Sequence, residues 1–147
     1  MKFIDSFAHF FSRKNRHKKF LLFLKYTRPT AEDKILDIGV TNLEYSPSDN
    51  YLEKHYAHPE NITAVSSENL SEFQVRYPEI KTYTADGLKL PFSDNSFATG
   101  YSNAVLEHVG NKEKQIQFLK ELFRVSRKGF ITTPNKKFPI EIHTRVP

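Results

Sequence analysis

Short apolar runs alternate along the chain with longer stretches in which apolar residues recur every three or four positions. The run at 34–38, which reads KILDI, is apolar without a period of two. That pattern is typical of a strand that is buried on both faces in a parallel sheet. Similar short runs predict four more strands, at 62–65, 81–84, 97–102 and 130–133. We therefore expect about five strands in one sheet.

The stretches between these runs have helical periodicity. They predict helices at about 48–56, 70–77 and 112–126, the first of which Ser48 or Asp49 can cap. The last helix is the best defined, because Asn111 can cap it and Gly129 follows its end. Its expected apolar face consists of Ile116, Leu119, Leu122 and Phe123. Strands that alternate with helices predict an α/β fold, a three-layer Rossmann-like sandwich with a mostly parallel sheet. No further strand is predicted after 133.

The N-terminal segment, 1–28, has a different composition from the rest. Aromatic residues at helical spacing predict a helix over 3–26, in one or two pieces. The segment has eight Lys or Arg against one acid and is therefore +7, so with a formal net charge of +5 the rest of the chain is −2. Pro29 separates it from the expected domain, 29–147. Two interpretations of the basic run 13–19 are open. It is either a solvated helix face at the domain edge, or an amphipathic segment that contacts anionic lipid, RNA or an acidic substrate.

The composition excludes several classes of protein. A chain of 147 residues is long enough for one domain with a hydrophobic core. The absence of cysteine excludes disulfides and cysteine-ligated zinc, and it is compatible with a reducing cytoplasm, where we expect the protein. No apolar run approaches the roughly 20 residues that span a bilayer, and the N-terminus lacks a signal-peptide pattern. The histidines have no metal-site spacing, so no metal is expected.

Polar and small residues follow the predicted strands. In doubly wound sheets the ligand lies beyond the carboxyl ends of the strands. Those ends hold Asp37 to Gly39, Ser66 to Glu68, Asp86 with Gly87, and Ser102 with Asn103. Gly39 permits a tight turn and a close approach of the backbone to a ligand. The pattern therefore predicts a site for a nucleotide-like ligand at this edge of the sheet.

Three motifs carry a resemblance to a known family. They are LDIG at 36–39, ADGLKLPF at 85–92 and SNAVLEH at 102–108. In this order and spacing, they resemble class I S-adenosylmethionine-dependent methyltransferases of the type 11 kind, over about 34–144. One departure is the loop after Gly39, where Val40-Thr41-Asn42-Leu43 replaces the further glycines that the family commonly has. Another is Ala98, where the family often has an acid.

The resemblance implies S-adenosyl-L-methionine as the cofactor and assigns residues to its parts. Glu68 would bind the ribose hydroxyls, although it lies two residues later than the family's usual acid. Asp86 would bind the adenine amino group, with Gly87 beside the ring. The methionine end and the sulfonium would be bound by Asp37, Gly39, Thr41, Ser102 and Asn103. Each has a structural alternative: Asp37 as a turn cap, Glu68 as a solvated helix start, and Ser102 and Asn103 as partners of backbone groups.

Direct methyl transfer requires alignment of the reactants, and a base only where the acceptor must lose a proton. His108, with Glu107 beside it, is the candidate base, and orientation of the local loop is the alternative role. The resemblance thus implies a methyltransferase that acts on an unidentified small-molecule or lipid-like acceptor. A non-catalytic or truncated binding module is a second hypothesis, since the family usually has seven strands. A nicotinamide-binding half-domain is a third, which the missing Gly-x-Gly-x-x-Gly spacing disfavours.

Overall fold

A computed structural model describes residues 2–133 and 141–145 of the protein, with side chains for 13–133. The helices are α1 (Lys2–Thr27), α2 (Tyr51–His55), α3 (Ser71–Arg76) and α4 (Lys112–Val125). The strands are β1 (Ile35–Ile38), β2 (Ile62–Ser66), β3 (Lys81–Thr84), β4 (Phe97–Asn103), β5 (Ser126–Thr132) and β6 (Glu141–Arg145). They form one sheet in the order β3-β2-β1-β4-β5-β6. The first five strands are parallel, and β6 pairs antiparallel with β5.

The sheet is covered on both faces, which gives the predicted three-layer sandwich. All residues of β1 and β2 are buried, as the apolar runs without a period of two predicted. One core cluster packs α1, α2 and α3 on one face of the sheet, and a second cluster packs α4 on the other. Since β1 lies between β2 and β4, the strand order reverses at β1. The crevice beside such a reversal is where doubly wound folds bind ligands.

The N-terminal segment forms one continuous helix that packs on the sheet. Phe23 of α1 is fully buried, and its ring lies 5.3 Å from that of Tyr101 and 5.7 Å from that of Phe130. Phe20 is also buried. The C-terminal half of α1 is therefore part of the core, while most of the basic run 13–19 is exposed.

The start of α2 differs from the prediction. The helix begins at Tyr51, after Asn50 in a left-handed conformation, rather than at Ser48 or Asp49. Asp49 does not cap the helix with its side chain, because its carboxylate accepts hydrogen bonds from the backbone N–H groups of Tyr45 and Ser46, at 2.8 and 2.9 Å. These bonds close a tight turn directly before the helix.

The C-terminal elements bring three corrections. Ile116 is 43% exposed, whereas Phe118 is 2% exposed, so the buried face of α4 is rotated from the predicted one. Gly129 lies inside β5, which follows α4 without a loop. A Cβ at this position would lie 2.5 Å from the Phe123 ring, so glycine is needed there for packing rather than to end the helix. The sixth strand, β6, was not predicted. Asn111 does cap α4, since its side chain accepts a hydrogen bond from the N–H of Lys114 at 3.0 Å.

Candidate active site

Two pockets lie at the carboxyl ends of the central strands and meet at Gly39. The first lies between β1, β4, α1 and the start of α2, with a volume of about 150 Å³. The second lies between the ends of β2 and β3 and the segment between β4 and α4, with a volume of about 240 Å³. Together they fall within the range typical of small-molecule sites, roughly 300–1,000 Å³. This is the edge of the sheet at which the sequence predicted a ligand.

Gly39 shapes the junction of the pockets. Its φ of 100° lies in the left-handed region, and its N–H donates a hydrogen bond to the carbonyl of Val65 at 2.7 Å. A Cβ at this position would lie 2.2 Å from Cγ2 of Val105. Glycine is therefore required both by the backbone conformation and by the approach of the segment after β4.

The loop after Gly39 is held by side-chain hydrogen bonds instead of further glycines. Asn50 accepts from the N–H of Thr41 at 2.9 Å and donates to the carbonyl of Thr41 at 2.9 Å. The Thr41 hydroxyl also donates to Asn50, at 3.3 Å. Thr41 lines the first pocket, but both of its donors are used within the loop. The Asn50 side chain therefore stabilises this turn by hydrogen bonds, whereas further glycines would permit a turn through their conformational freedom.

Glu68 also supports this loop. Its carboxylate accepts a hydrogen bond from the N–H of Asn42 at 3.1 Å. The side chain of Asn42 in turn accepts from Glu72 and Phe73, the second and third residues of α3, at 2.9 and 3.1 Å. Glu68 is not among the lining residues of either pocket, whereas Ser66 and Ser67 line the second. Glu68, which lies two residues later than the family's usual acid, therefore contacts the loop and lines neither pocket.

Asp86 and Gly87 both line the second pocket. One carboxylate oxygen of Asp86 accepts from the N–H of Leu88 at 2.9 Å, and the residue is exposed. Gly87 lies against the Phe118 ring, which a Cβ would approach to 2.8 Å. Most of the remaining lining is apolar and includes Ile38, Val65, Leu88, Val105 and Phe118. An apolar slot with a carboxylate at its rim suits a flat heteroaromatic ring that carries an amino group.

Ser102 and Asn103 have different environments. Ser102 is fully buried, and its hydroxyl donates to the carbonyl of Ile38 at 3.3 Å. Its side chain therefore joins β4 to β1 beneath the site, in the structural role that is the alternative to a cofactor contact. Asn103 lines the first pocket, and its side-chain oxygen accepts a hydrogen bond from the Thr132 hydroxyl, which joins β4 to β5.

His108 and Glu107 lie in a one-turn 3-10 helix, Leu106–His108. His108 lines the second pocket and its side chain is 80% exposed. Its Nε2 atom is 3.7 Å from a carboxylate oxygen of Glu107. Both carboxylate oxygens of Glu107 are shielded from solvent and have no hydrogen-bond partner among the described residues. Since neither residue lines the first pocket, the structure separates this pair from Asp37 and Asn103.

The first pocket contains an acid pair that the sequence did not reveal. Asp37 and Glu53 are 6% and 4% exposed, and both line the pocket, as do Tyr101 and Arg16. Burial raises the pKa of Asp37 well above its ordinary value, and the charge of Glu53 raises it further, while Arg16 opposes the rise. Burial also raises the pKa values of Glu53 and Tyr101. The one sequence feature that could have indicated Glu53 is its position beside Leu52 in a short predicted helix. No local feature distinguishes Arg16 from the other bases of the run 13–19.

The described part of the chain was compared with the requirements of a metal-ion site and of a membrane-spanning helix, and it meets neither. Among residues 2–133 and 141–145 no group of three or more His, Asp or Glu side chains has an arrangement that would hold a metal ion. In the same ranges none of the helices combines the length and apolar character that crossing a membrane requires.

Comparison with solved structures identifies the fold. The PH0226 protein from Pyrococcus horikoshii OT3 superposes with a TM-score of 0.67 at 17% identity, over 85% of this chain and 55% of that one. The N-methyltransferase NodS from Bradyrhizobium japonicum WM9, in complex with S-adenosyl-L-homocysteine, gives 0.62 at 15% identity, over 82% and 60%. A SAM-dependent methyltransferase from Methanosarcina mazei gives 0.59 at 21% identity, over 76% and 56%. The chain thus spans little more than half the length of these proteins.

Comparison of the sequence gives the family. No match was found among curated proteins. The family model of the methyltransferase domain matches residues 36–131, which is more than half of the chain. The matched region begins in β1 and ends in β5, so it contains Gly39, Asp86 and the whole second pocket. The chain therefore belongs to the methyltransferase domain family.

Proposed function

We propose that the protein binds S-adenosyl-L-methionine in the two pockets and transfers its methyl group to a small-molecule or lipid-like acceptor. The observation that carries this proposal is the meeting at Gly39 of two pockets with different chemistry. The second is mainly apolar with Asp86 at its rim, which suits the adenosine. The first is polar and contains Asp37 and Asn103, which suits the amino-acid end and the reacting centre. Binding of the demethylated product by NodS, on the same fold, supports the choice of cofactor.

The assignment of residues follows this division. We propose Asp86, Gly87 and Leu88 for the adenine, and Asp37, Gly39, Thr41 and Asn103 for the methionine end and sulfonium. Glu68 and Ser102 support the site from behind, Glu68 through the loop and Ser102 through β1. His108 and Glu107 are proposed to close the nucleoside side, because His108 lines the second pocket.

The chemistry asks little of the protein beyond alignment. When bound, S-adenosyl-L-methionine would supply an electrophilic methyl carbon for direct displacement by the acceptor atom, with S-adenosyl-L-homocysteine as the leaving group. The close approach of Val105 to Gly39 and the hydrogen bond from Thr132 to Asn103 would hold the two ends of the site in a constant relation. Such alignment is a major source of rate in a direct displacement.

A calorimetric titration of S-adenosyl-L-homocysteine into the wild-type chain and Asp86→Ala tests the cofactor proposal. We expect micromolar binding in the wild type and a loss of about tenfold or more in the variant, because a charge-assisted hydrogen bond is removed. Glu79→Ala is the matched control, since Glu79 is an exposed acid just before β3 and Asp86 follows its other end. Equal binding by both variants, or no binding by the folded wild type, would contradict the assignment. Transfer of labelled methyl to extract fractions then tests the activity.

A binding module without transfer is the alternative. The observation that favours it is the use of both Thr41 donors by Asn50, which leaves fewer groups in the loop for a cofactor. This alternative predicts a folded protein that binds S-adenosyl-L-homocysteine but transfers no methyl group to any fraction that a related methyltransferase modifies under the same conditions.

A further inference from the structure

The side of α1 that faces away from the sheet has a row of exposed residues, which we call the basic stripe. Its members follow one another at intervals of four, three and four residues: Lys14, Lys18, Leu21 and Lys25. Such intervals place residues on one side of a helix. Phe20, Phe23 and Thr27, which are buried, lie on the opposite side. Leu21 is 51% exposed although it is apolar, so the basic stripe combines cations with an uncovered hydrophobic side chain.

The lysines of the basic stripe have no acidic partner in the part of the chain that the structure describes. None of the ion pairs between described residues involves Lys14, Lys18 or Lys25. Lys25 instead lies over the ring of Tyr26, 5.5 Å from its centroid, and Tyr26 is 49% exposed. The segment 1–28 is +7, whereas the rest of the chain is −2. The helix therefore presents a concentrated positive charge that complements an anionic partner.

The apolar positions of α1 change sides along its length. Towards the N-terminus, the register of the core-facing Phe20 and Phe23 continues at positions 16, 13, 9 and 5, which are Arg, Arg, His and Asp. The register of the basic stripe continues at positions 10, 7 and 3, which are all phenylalanine. Because α1 is one continuous helix over Lys2–Thr27, these three positions and the basic stripe share a side of it. Aromatic and basic residues on one side are typical of helices that lie on a membrane surface.

We propose that the basic stripe docks the protein on the surface of an anionic phospholipid bilayer. The lysine ammonium groups bind lipid phosphates, and Leu21 enters the boundary between head groups and acyl chains. An RNA backbone would match the lysines, but it would leave Leu21 in water, since single-stranded RNA is held by stacking on aromatic rings and arginine planes. The inference is independent of the proposed function, because no residue of the basic stripe lines either pocket.

Co-sedimentation of the full chain with phospholipid vesicles tests the proposal. We expect binding to vesicles of phosphatidylcholine that contain about one third phosphatidylserine, and no binding to phosphatidylcholine alone. Binding should weaken as the salt concentration rises, because salt screens exposed charges. Substitutions are preferable to deletion of α1, since Phe23 is fully buried and its loss would disrupt the core.

The variant Lys14→Gln/Lys18→Gln/Lys25→Gln removes the charge of the basic stripe. We expect its affinity for the anionic vesicles to fall about 100-fold, since each basic residue near such a surface contributes about fivefold. The three side chains are exposed, so the melting temperature and the affinity for S-adenosyl-L-homocysteine should match those of the wild type.

The matched control removes the same charge from another helix. Lys112→Gln/Lys114→Gln/Lys120→Gln changes three exposed lysines of α4. We expect its affinity for the anionic vesicles to change less than about threefold, because these lysines lie outside the proposed contact. An equal loss in the two triple variants would mean that only net charge matters, and it would overturn the proposal.

A tryptophan reports whether Leu21 enters the bilayer interface. The chain contains no tryptophan, so Leu21→Trp places a single fluorophore of this kind in the basic stripe. Ile116→Trp, at an exposed apolar position of α4, is its matched control. We expect anionic vesicles to shift the emission of Leu21→Trp to shorter wavelength and to leave that of Ile116→Trp unchanged. No shift, or the same shift in both variants, would contradict docking through this side of α1.

The remaining outcomes separate the partners. Failure of the folded wild type to bind anionic vesicles, or equal binding to neutral ones, overturns the proposal. Fluorescence polarisation with a labelled single-stranded RNA tests the other anionic partner. RNA binding that the basic-stripe variant loses, together with no binding to vesicles, would assign the basic stripe to RNA instead. None of these results changes the affinity for S-adenosyl-L-homocysteine, so failure of this inference leaves the proposed function standing.

Discussion

Replacement of Gly39 by alanine tests whether the junction of the two pockets is set by steric necessity. The added Cβ would lie 2.2 Å from Cγ2 of Val105, a distance that real Cβ contacts do not show. The residue also has a φ of 100°. Two separate penalties therefore apply, one from the backbone conformation and one from the collision.

The structure provides a control that isolates the collision. Gly110 has a φ of 124°, so Gly110→Ala also places a side chain in the left-handed region. Its added Cβ would meet only the flexible Lys114 side chain, at 3.0 Å. Backbone strain costs about 1–3 kcal/mol at each position. Overpacking adds about 1–3 kcal/mol at Gly39 alone, which gives a total of about 2–6 kcal/mol there.

Urea unfolding followed by circular dichroism measures the free energy of unfolding. The variants to compare are Gly39→Ala, Gly110→Ala, Val105→Ala and the double variant Gly39→Ala with Val105→Ala. Because Val105→Ala removes the methyl groups that collide, the double variant should recover about 1–3 kcal/mol relative to the sum of the single variants. Calorimetry with S-adenosyl-L-homocysteine on variants that remain folded shows whether the junction also affects binding.

Two results would refute this reasoning. If Gly39→Ala is no more destabilising than Gly110→Ala, the approach of Val105 does not constrain the junction. If the effects of Gly39→Ala and Val105→Ala are additive, the penalty at Gly39 comes from the backbone alone, and the segment after β4 is free to move away from the pocket.

Two further predictions concern the rim of the second pocket and the loop. His108→Ala should weaken S-adenosyl-L-homocysteine binding several-fold and leave the pH dependence of methyl transfer unchanged; loss of one limb of the pH–rate profile would instead identify His108 as the base. Burial alone would raise the pKa of Glu44, but hydrogen bonds from Lys54, Tyr77 and Asn50 lower it below its ordinary value of 4.5. Glu44 therefore stabilises the fold above that value, and the contribution is lost as pH falls through the lowered pKa. Melting temperatures from pH 7 to 3 should fall less steeply for Glu44→Gln; parallel curves would contradict the assigned role.

The strands and the ligand-binding edge were predictable because their signals are local. A strand covered on both faces is mostly apolar on both, and the site follows from the rule that parallel strands present their carboxyl ends to a ligand. Gly39, Asp86, Gly87 and Asn103 therefore appeared in the sequence at the positions where the structure has them lining pockets.

The departures have a different origin. Ile116 and Phe118 have similar apolar character, so only the packing of α4 on the sheet decides which of them is buried. Ser102 is polar and follows the pattern of a ligand contact, but its neighbours enclose it completely. The backbone N–H groups of Glu72 and Phe73, in the first turn of α3, donate to the side chain of Asn42, which lies about thirty residues earlier in the sequence, so no pattern local to the helix reveals this contact.

The sequence by itself determined the parallel sheet, its carboxyl edge and the family resemblance, because each depends on residue type and on spacing within a short stretch. Only the tertiary structure decided which polar residues share a cavity. Arg16, Asp37, Glu53 and Tyr101 come from four separate elements, and the raised pKa values of the two acids and of Tyr101 arise from burial. Those quantities exist only after the helices have packed on the sheet, so no pattern along the chain contains them.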